Sequence, residues 1–135
     1  MVGPGKAGNL LIVDDNEALG RMLGWEFEDL GYRVWRAANC EQAVAAARSG
    51  PFDFALIDFH LPDGDGRRLS RWLRRISPRL RVVMMSCDRE RATAGAPSSF
   101  RMAFVEKPVP TARIHHLFGG RGRSRQPVSG QYQGS

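Results

Sequence analysis

Five polar residues that can do chemistry stand at or just beyond the ends of apolar runs of this sequence: Asp14, Asp15, Asp58, Ser86 and Lys107. Grouped carboxylates repel one another and therefore require a cation. All-oxygen ligands favour a hard divalent ion, and few protein ligands plus water suit Mg²⁺. A metal, a lysine and a hydroxyl around one carboxylate would suit phosphoryl transfer, because they neutralise the transferred group while a carboxylate oxygen attacks it.

The elements that must bring these residues together are five predicted strands, which alternate with amphipathic helices. The strands cover residues 9–13, 32–37, 54–57, 81–85 and 102–105. This alternation predicts an α/β fold, a doubly wound five-stranded parallel sheet with helices on both faces (flavodoxin-like). The carboxyl ends of parallel strands share one edge of the sheet, so we expect the five polar residues to form one site.

The helical segments show apolar stripes and capping patterns. The helix predicted over residues 16–30 has a stripe that includes Met22. Asn39, with Gln42 three residues later, resembles a capping box that opens the second helix. A short final helix is predicted over residues 111–118. The third helix is expected to turn its arginines outward and four apolar residues inward, namely Leu69, Trp72, Leu73 and Ile76.

The composition is that of one globular domain, with 135 residues, 42% of them hydrophobic and 25% charged. No apolar run approaches membrane-spanning length and no secretory signal opens the chain, so we predict a cytoplasmic protein. Cys40 and Cys87 suggest neither a disulfide framework nor a zinc site. We divide the chain into a flexible N-terminus (1–8), one domain (9–119) and a disordered basic tail (120–135).

The net charge of +6 is carried by unevenly placed arginines. They crowd the third helix and the strand after it, and they recur in the tail: Arg67, Arg68, Arg71, Arg74, Arg75, Arg79, Arg81, Arg121, Arg123 and Arg125. The simplest interpretation is a solvated basic face. An alternative is a nucleic-acid-binding protein that uses the arginine-rich helix and tail, although the pattern offers neither a recognition helix nor stacking aromatics.

In their order along the chain, these features resemble the receiver domain of two-component response regulators. The resemblance covers about residues 9–118. It is carried by Asp14-Asp15, by Asp58 with Leu61-Pro62 and Gly66, by Ser86, and by Lys107-Pro108. Each motif alone is weak, because an aspartate before a helix is commonly just its cap. Their order, their spacing and their positions after successive strands make the resemblance specific.

The resemblance implies that Asp58 accepts a phosphoryl group from a histidine kinase or a histidine phosphotransfer protein. The implied Mg²⁺ ligands are Asp14, Asp15, Asp58 and the backbone carbonyl of His60. Lys107 would contact the phosphoryl oxygens. Such a domain is a signalling protein that acts on a downstream protein. As an enzyme it would at most phosphorylate itself from small donors and dephosphorylate itself.

The resemblance also implies a switch. Ser86 would be the hydroxyl that moves onto the phosphoryl group, and Phe104, three residues before the lysine, would be the switch aromatic. The surface made by the fourth helix, fifth strand and fifth helix would then rearrange. His60 and Asp88 stand where the family tunes the lifetime of the phosphoryl group, and the bond before Pro108 would be cis.

Two regions depart from the family pattern. Gly64 replaces a usual apolar residue, so the loop over residues 63–66 is expected to be looser and more acidic. In the fourth helical segment, residues 88–99, Gly95 and Pro97 would cost roughly 1 and 3 kcal/mol in a helix interior. We therefore expect a fourth helix that is short, irregular or mobile, which puts the family's usual partner surface in doubt.

Two enzyme classes share parts of this pattern. An aspartyl-nucleophile phosphatase would also use Mg²⁺, aspartate and lysine, but its nucleophile normally follows the first strand in an Asp-x-Asp motif, whereas Asp14 and Asp15 are adjacent. A dinucleotide-dependent oxidoreductase would need a glycine-rich first turn, which is missing. The sequence favours a stand-alone receiver, a switch or relay without its own output domain.

Overall fold

The computed structural model describes residues 7–87, 102–107 and 110–119. Within these ranges the chain forms seven strands and four helices. The strands are β1 (Gly8–Val13), β2 (Tyr32–Ala37), β3 (Phe54–Asp58), β4 (His60–Leu61), β5 (Gly64–Asp65), β6 (Arg81–Ser86) and β7 (Met102–Glu106). The helices are α1 (Glu17–Asp29), α2 (Cys40–Ser49), α3 (Gly66–Ile76) and α4 (Thr111–Leu117).

Five strands form one parallel sheet in the order β2-β1-β3-β6-β7, which confirms the predicted fold. The other two, β4 and β5, form a short antiparallel hairpin. Side chains along β1 alternate between the two faces of the sheet. Leu11 and Val13 pack in the half of the core that contains α2 and α3, whereas Leu10 and Ile12 pack in the half that contains α1 and α4.

Two helices begin at asparagine caps. The Oδ1 atom of Asn16 accepts a hydrogen bond from the N–H of Leu19 at 3.1 Å, and Oδ1 of Asn39 accepts one from Gln42 at 2.8 Å. The Oε1 atom of Gln42 accepts a hydrogen bond from the N–H of Ala38 at 2.8 Å, so the reciprocal bond closes one residue before the cap. These bonds satisfy N–H groups that a helix leaves free in its first turn.

The apolar stripes are narrower than the sequence predicts. The prediction that Ile76 points inward is wrong, since its side chain is 49% exposed. The chain leaves α3 at this residue, and Leu80, just beyond the helix, is buried in the adjoining core. Trp72 is half-buried and Met22 is 46% exposed. Leu73 and Leu23, which directly follow Trp72 and Met22, are buried. Successive side chains of a helix point about 100° apart, so Trp72 and Met22 are turned away from the direction in which these leucines are buried.

Several predictions concern residues outside the described ranges. They are most of the flexible N-terminus, the irregular segment at 88–99, the role of Asp88, the cis bond before Pro108 and the basic tail at 120–135. These stay predictions. In the described part of the chain, none of the helices combines the length and the apolar character that crossing a membrane requires.

Candidate functional site

The candidate site lies where β1, β3, β6 and β7 end at the carboxyl edge of the sheet. Asp14 directly follows β1, and Asp58 is the last residue of β3. Ser86 ends β6, and Lys107 directly follows β7. Because β1, β3, β6 and β7 are consecutive in the sheet, their ends bring these residues to one place.

Backbone hydrogen bonds continue the sheet past the ends of its strands. The N–H of Phe59, the residue directly after Asp58, donates to the carbonyl of Met85 at 2.8 Å. The N–H of Lys107 donates to the carbonyl of Ser86 at 2.7 Å. The main chain of the sheet, rather than a free loop, therefore positions the carboxylate of β3 and the lysine after β7.

Three carboxylates meet at this edge, as predicted. One oxygen from each of Asp14, Asp15 and Asp58 lies within 4.8 Å of the others. Asp14 and Asp58 are buried, with 4% and 7% exposure, whereas Asp15 is exposed. Buried like charges at this separation repel one another strongly because little water screens them.

Lys107 supplies the compensating charge. Its Nζ atom lies 2.7 Å from Oδ2 of Asp14 and 3.3 Å from Oδ2 of Asp58. The shorter contact is a close ion pair. Among the described residues, no donor is aligned with the buried Oδ2 of Asp14. Its other oxygen, Oδ1, accepts a hydrogen bond from the N–H of Asn16 at 2.9 Å.

The ionisation of the site reflects this balance of burial and charge. Burial, and then the negative charge of Asp14, raise the pKa of Asp58 above its ordinary value of 3.8, although Lys107 and the N–H of His60 oppose the rise. Burial lowers the pKa of Lys107, but its close contacts with the two carboxylates outweigh burial and raise it above 10.5. A negative charge on Asp58 is thus costly without an additional cation.

The donor set fits a hard divalent metal ion. Among the residues that the structure describes, three carboxylates face a single ammonium group, and one buried oxygen, Oδ2 of Asp14, has no aligned hydrogen-bond donor. An all-oxygen cluster with one exposed member leaves room for water ligands, which is the pattern Mg²⁺ prefers. The residues that would hold the ion are Asp14, Asp15 and Asp58.

The two predicted switch residues lie beside this cluster. Ser86 is fully buried at the end of β6. Phe104 is half-buried, and its ring centre lies 5.3 Å from that of Phe59, the residue after Asp58. The guanidinium carbon of Arg67 lies 5.9 Å from the centre of the Phe104 ring. An apolar contact therefore connects β7 to the chain segment that carries Asp58, the central carboxylate, at the end of the central strand β3.

The loop after Asp58 is anchored rather than loose. Leu61 pairs with Gly64 in the β4–β5 hairpin. The carboxylate of Asp63 accepts hydrogen bonds from the N–H groups of Cys40 at 2.8 Å and Glu41 at 3.0 Å. These bonds, led by the one from Cys40, lower the pKa of Asp63. The expectation of a looser loop is therefore wrong, because a carboxylate fastens the loop to the first turn of α2.

Asp63 is a site-supporting residue that the sequence does not reveal. It lies 23 residues from Cys40, so no local pattern connects the two. The pKa of the Cys40 thiol is raised to about 11, first by burial and then by the hydrogen bond between this thiol and Asp63. The only available signal is an acidic residue in the loop after Asp58, which is not specific.

Gly66 marks the closest approach of α3 to the site. A Cβ atom at this position would lie 2.2 Å from the carbonyl oxygen of Asp58 and 3.0 Å from the Cε atom of Met84. Its N–H donates to the carbonyl of Phe59 at 2.9 Å. The glycine is needed because the helix begins against the backbone that carries the central carboxylate.

The sequence profile of the response regulator receiver domain matches residues 10–118. The chain belongs to this family. Its receiver domain is 30% identical over 112 residues to the histidine-protein kinase BarA of Shigella flexneri, covering 80% of this chain and 12% of BarA. It is 28% identical over 120 residues to the photosynthetic apparatus regulatory protein RegA of Cereibacter sphaeroides, covering 88% of this chain and 65% of RegA. The chain thus spans less than two thirds of either relative.

Solved receiver structures share the fold. A response regulator from Burkholderia pseudomallei superposes with a TM-score of 0.72 at 26% identity, over 82% of this chain and 65% of that one. That structure contains a phosphorylated aspartic acid, a calcium ion and citrate. A CheY-like receiver domain protein from Methanospirillum hungatei gives 0.69 at 27% identity, over 82% of this chain and 90% of that one.

The family places this receiver domain in two-component signalling. Receivers of response regulators are phosphorylated on an aspartate by histidine kinases, and they act as regulators rather than as conventional enzymes. The acidic cluster of Asp14, Asp15 and Asp58 fits the divalent metal binding seen in a related structure.

Proposed function

We propose that Asp58 is the phosphoacceptor of this receiver domain, and that a histidine kinase or histidine phosphotransfer protein is the donor. The observation that carries the proposal is the convergence of a buried Asp58 with two further carboxylates and the Lys107 ammonium, 3.3 Å from Asp58 Oδ2. Asp58 is the carboxylate at the end of β3, the central strand of the sheet.

In the proposed reaction, a carboxylate oxygen of Asp58 attacks the phosphorus of the donor phosphohistidine. The O–P bond forms as the N–P bond breaks, and the imidazole nitrogen keeps the electron pair. The product is an acyl phosphate on Asp58 and a free histidine on the donor. Lys107, already in contact with the carboxylate, would hold its positive charge beside the phosphoryl oxygens.

The proposed metal is Mg²⁺, bound by Asp14, Asp15, Asp58 and the backbone carbonyl of His60. When bound, it would neutralise charge on the phosphoryl group. Two observations on the described residues support this assignment. Oδ2 of Asp14 is buried without an aligned hydrogen-bond donor, and the site has more carboxylates than ammonium groups.

We further propose that Ser86 and Phe104 report phosphorylation to a downstream protein. The ring contact between Phe104 and Phe59, which follows Asp58, supports a route from the phosphoacceptor to β7. Phe104 has no hydroxyl, so this route depends on packing. His60 is exposed two residues after Asp58 and is proposed to tune the lifetime of the acyl phosphate. The predicted cytoplasmic location stays a prediction.

The experiment is phosphorylation by acetyl phosphate and Mg²⁺, followed by intact mass spectrometry. Wild type and the matched variant Asp29→Asn, an exposed carboxylate on α1, should each gain one phosphoryl group. Asp58→Asn should gain none, and removal of Mg²⁺ by a chelator should abolish the gain. Phosphate on Asp58→Asn would disprove the assignment. Turnover of a phosphate ester that is lost in Asp14→Asn but kept in Asp58→Asn would instead support the phosphatase alternative.

A further inference from the structure

The exposed face of α3 is strongly basic. The helix contains five arginines and no acidic residue. Part of this face borders an open groove of about 730 Å³. We refer to it as the arginine groove, defined by its lining residues Arg68, Arg71, Trp72, Arg74, Arg75 and Pro78.

Three of these arginines are not neutralised within the described fold. Arg68, Arg71 and Arg75 are exposed, and no carboxylate of residues 7–87, 102–107 or 110–119 lies within ion-pair distance of them. Lys107 differs, because two carboxylates lie within 3.3 Å of its ammonium. The positive charge of Arg68, Arg71 and Arg75 is therefore available to a partner.

The floor of the arginine groove is apolar. Trp72 packs against the core beneath α3 and lines the groove together with Pro78. The guanidinium carbon of Arg48, on α2, lies 5.8 Å from the centre of the Trp72 ring. The indole is thus bordered by cations on two helices. A partially buried tryptophan surrounded by arginines has the composition of a protein-binding hot spot.

The shape of the arginine groove distinguishes among anionic partners. It is open to solvent, whereas small-molecule sites usually enclose most of their ligand. Its lining includes a single aromatic ring, that of the half-buried Trp72, whereas proteins that bind single-stranded nucleic acid stack successive bases on several aromatic side chains. Arginines can form bidentate hydrogen bonds with carboxylates, and the apolar floor can accept an apolar side chain.

We propose that the arginine groove binds an acidic segment of a partner protein, with an apolar side chain seated on Trp72 and Pro78. Arg68, Arg71 and Arg75 would pair with the carboxylates of that segment. This surface is distinct from the acidic cluster at the ends of the strands, so binding does not require a phosphorylated Asp58. The inference goes beyond the phosphoacceptor function.

The test uses fluorescence anisotropy with three labelled probes: a peptide of repeated Glu-Glu-Leu, a peptide of repeated Glu-Glu-Ser with the same charge, and single-stranded oligothymidine of matched charge. The Glu-Glu-Leu peptide should bind wild type more tightly than the other two. Its affinity should fall roughly tenfold or more in the triple variant Arg68→Ala/Arg71→Ala/Arg75→Ala. The matched control is a triple variant of exposed arginines elsewhere, Arg21→Ala/Arg33→Ala/Arg113→Ala, which should retain binding.

A second measurement locates the peptide and is independent of charge removal. In a Trp25→Phe/Trp35→Phe variant, Trp72 is the remaining tryptophan of the chain. Its fluorescence should change as the Glu-Glu-Leu peptide saturates the protein, at the same peptide concentrations as the anisotropy change. Binding without any change in Trp72 fluorescence would overturn the proposed seat.

Four outcomes would overturn the proposal as a whole. Equal loss of peptide binding in both triple variants would show nonspecific attraction, as would equal affinity for the Glu-Glu-Ser peptide. Tighter binding of oligothymidine, with displacement of the peptide, would make the groove a nucleic-acid site. If the wild type forms a dimer that is lost in Arg68→Ala/Arg71→Ala/Arg75→Ala but kept in the control triple variant, the occupant of the groove would be a second copy of this chain.

Discussion

The acidic cluster at the ends of the strands and the arginine groove on α3 carry charge of opposite sign in different surroundings. In the acidic cluster, the side chains of Asp14 and Asp58 are largely removed from water, and the ammonium of Lys107 is drawn between them. In the arginine groove, Arg68 and Arg71 are exposed, so water solvates them and no internal partner is required.

The difference in burial between the two regions separates two effects of charge, one on the free energy of unfolding and one on binding. Buried charges repel or attract strongly and therefore alter the free energy of unfolding. Exposed charges are screened and alter it little, although they remain available for binding. The same helix links the two regions, because α3 begins at Gly66 beside Asp58 and then presents its arginines to solvent. Substitutions along this helix and around the site can test the separation.

The largest effect is expected from Gly66→Ala. The added Cβ would lie 2.2 Å from the carbonyl oxygen of Asp58, a backbone atom that cannot move without displacing β3. We expect the free energy of unfolding to fall by about 3 kcal/mol, measured by urea denaturation. The control is Gly50→Ala, where φ is 176° and no atom lies within 4 Å of the new Cβ. Similar losses in both variants would show that the close approach at Gly66 does not matter.

The next effect is expected from Lys107→Met in metal-free buffer. Two carboxylates would lose their cation, at a cost of about 2 kcal/mol in unfolding free energy near neutral pH. Because contacts with these carboxylates raise the pKa of Lys107 above 10.5, its contribution is present below 10.5 and is lost as pH rises through the raised value. The stability difference from wild type should therefore shrink at high pH. The exposed control Arg113→Met should change stability little at any pH.

A smaller effect of opposite sign is expected from Asp58→Asn. The folded state raises the pKa of Asp58 above 3.8, so this group favours folding only while it is protonated, and its contribution declines as pH rises from 3.8 through the raised pKa. Removing the charge should stabilise the metal-free protein near neutral pH, by less than the loss expected for Lys107→Met. Urea denaturation across this pH range measures the difference, which should vanish in strong acid. A destabilised variant at neutral pH would contradict the repulsion argument.

The smallest effect is expected from Arg68→Ala, Arg71→Ala and Arg75→Ala taken singly. Each side chain is exposed, so the free energy of unfolding should change by about 0.5 kcal/mol or less. Urea denaturation of each variant provides the measurement. A loss well above this value would mean that the arginines support the fold of α3, and it would remove the distinction between the two charged regions.

Much of the site could be predicted because its residues stand at the ends of strands. The apolar runs before Asp14, Asp58 and Ser86 indicate strands, and parallel strands place their carboxyl ends together. Residues that depend on packing between distant segments could not be predicted in the same way. Asp63 contacts the start of α2 from the loop after β3, and the exposure of Ile76 depends on where α3 leaves the core.

By itself, the sequence determined the alternation of strands and helices, the carboxylates at the strand ends and the membership of the receiver family. Periodicity and strand-end position are local properties, so they can be read without coordinates. Only the tertiary structure decided that Lys107 contacts Asp14 more closely than Asp58, and that Asp63 fastens the loop after the central carboxylate. Distances of this kind depend on how elements pack across the sheet, and no local pattern encodes them.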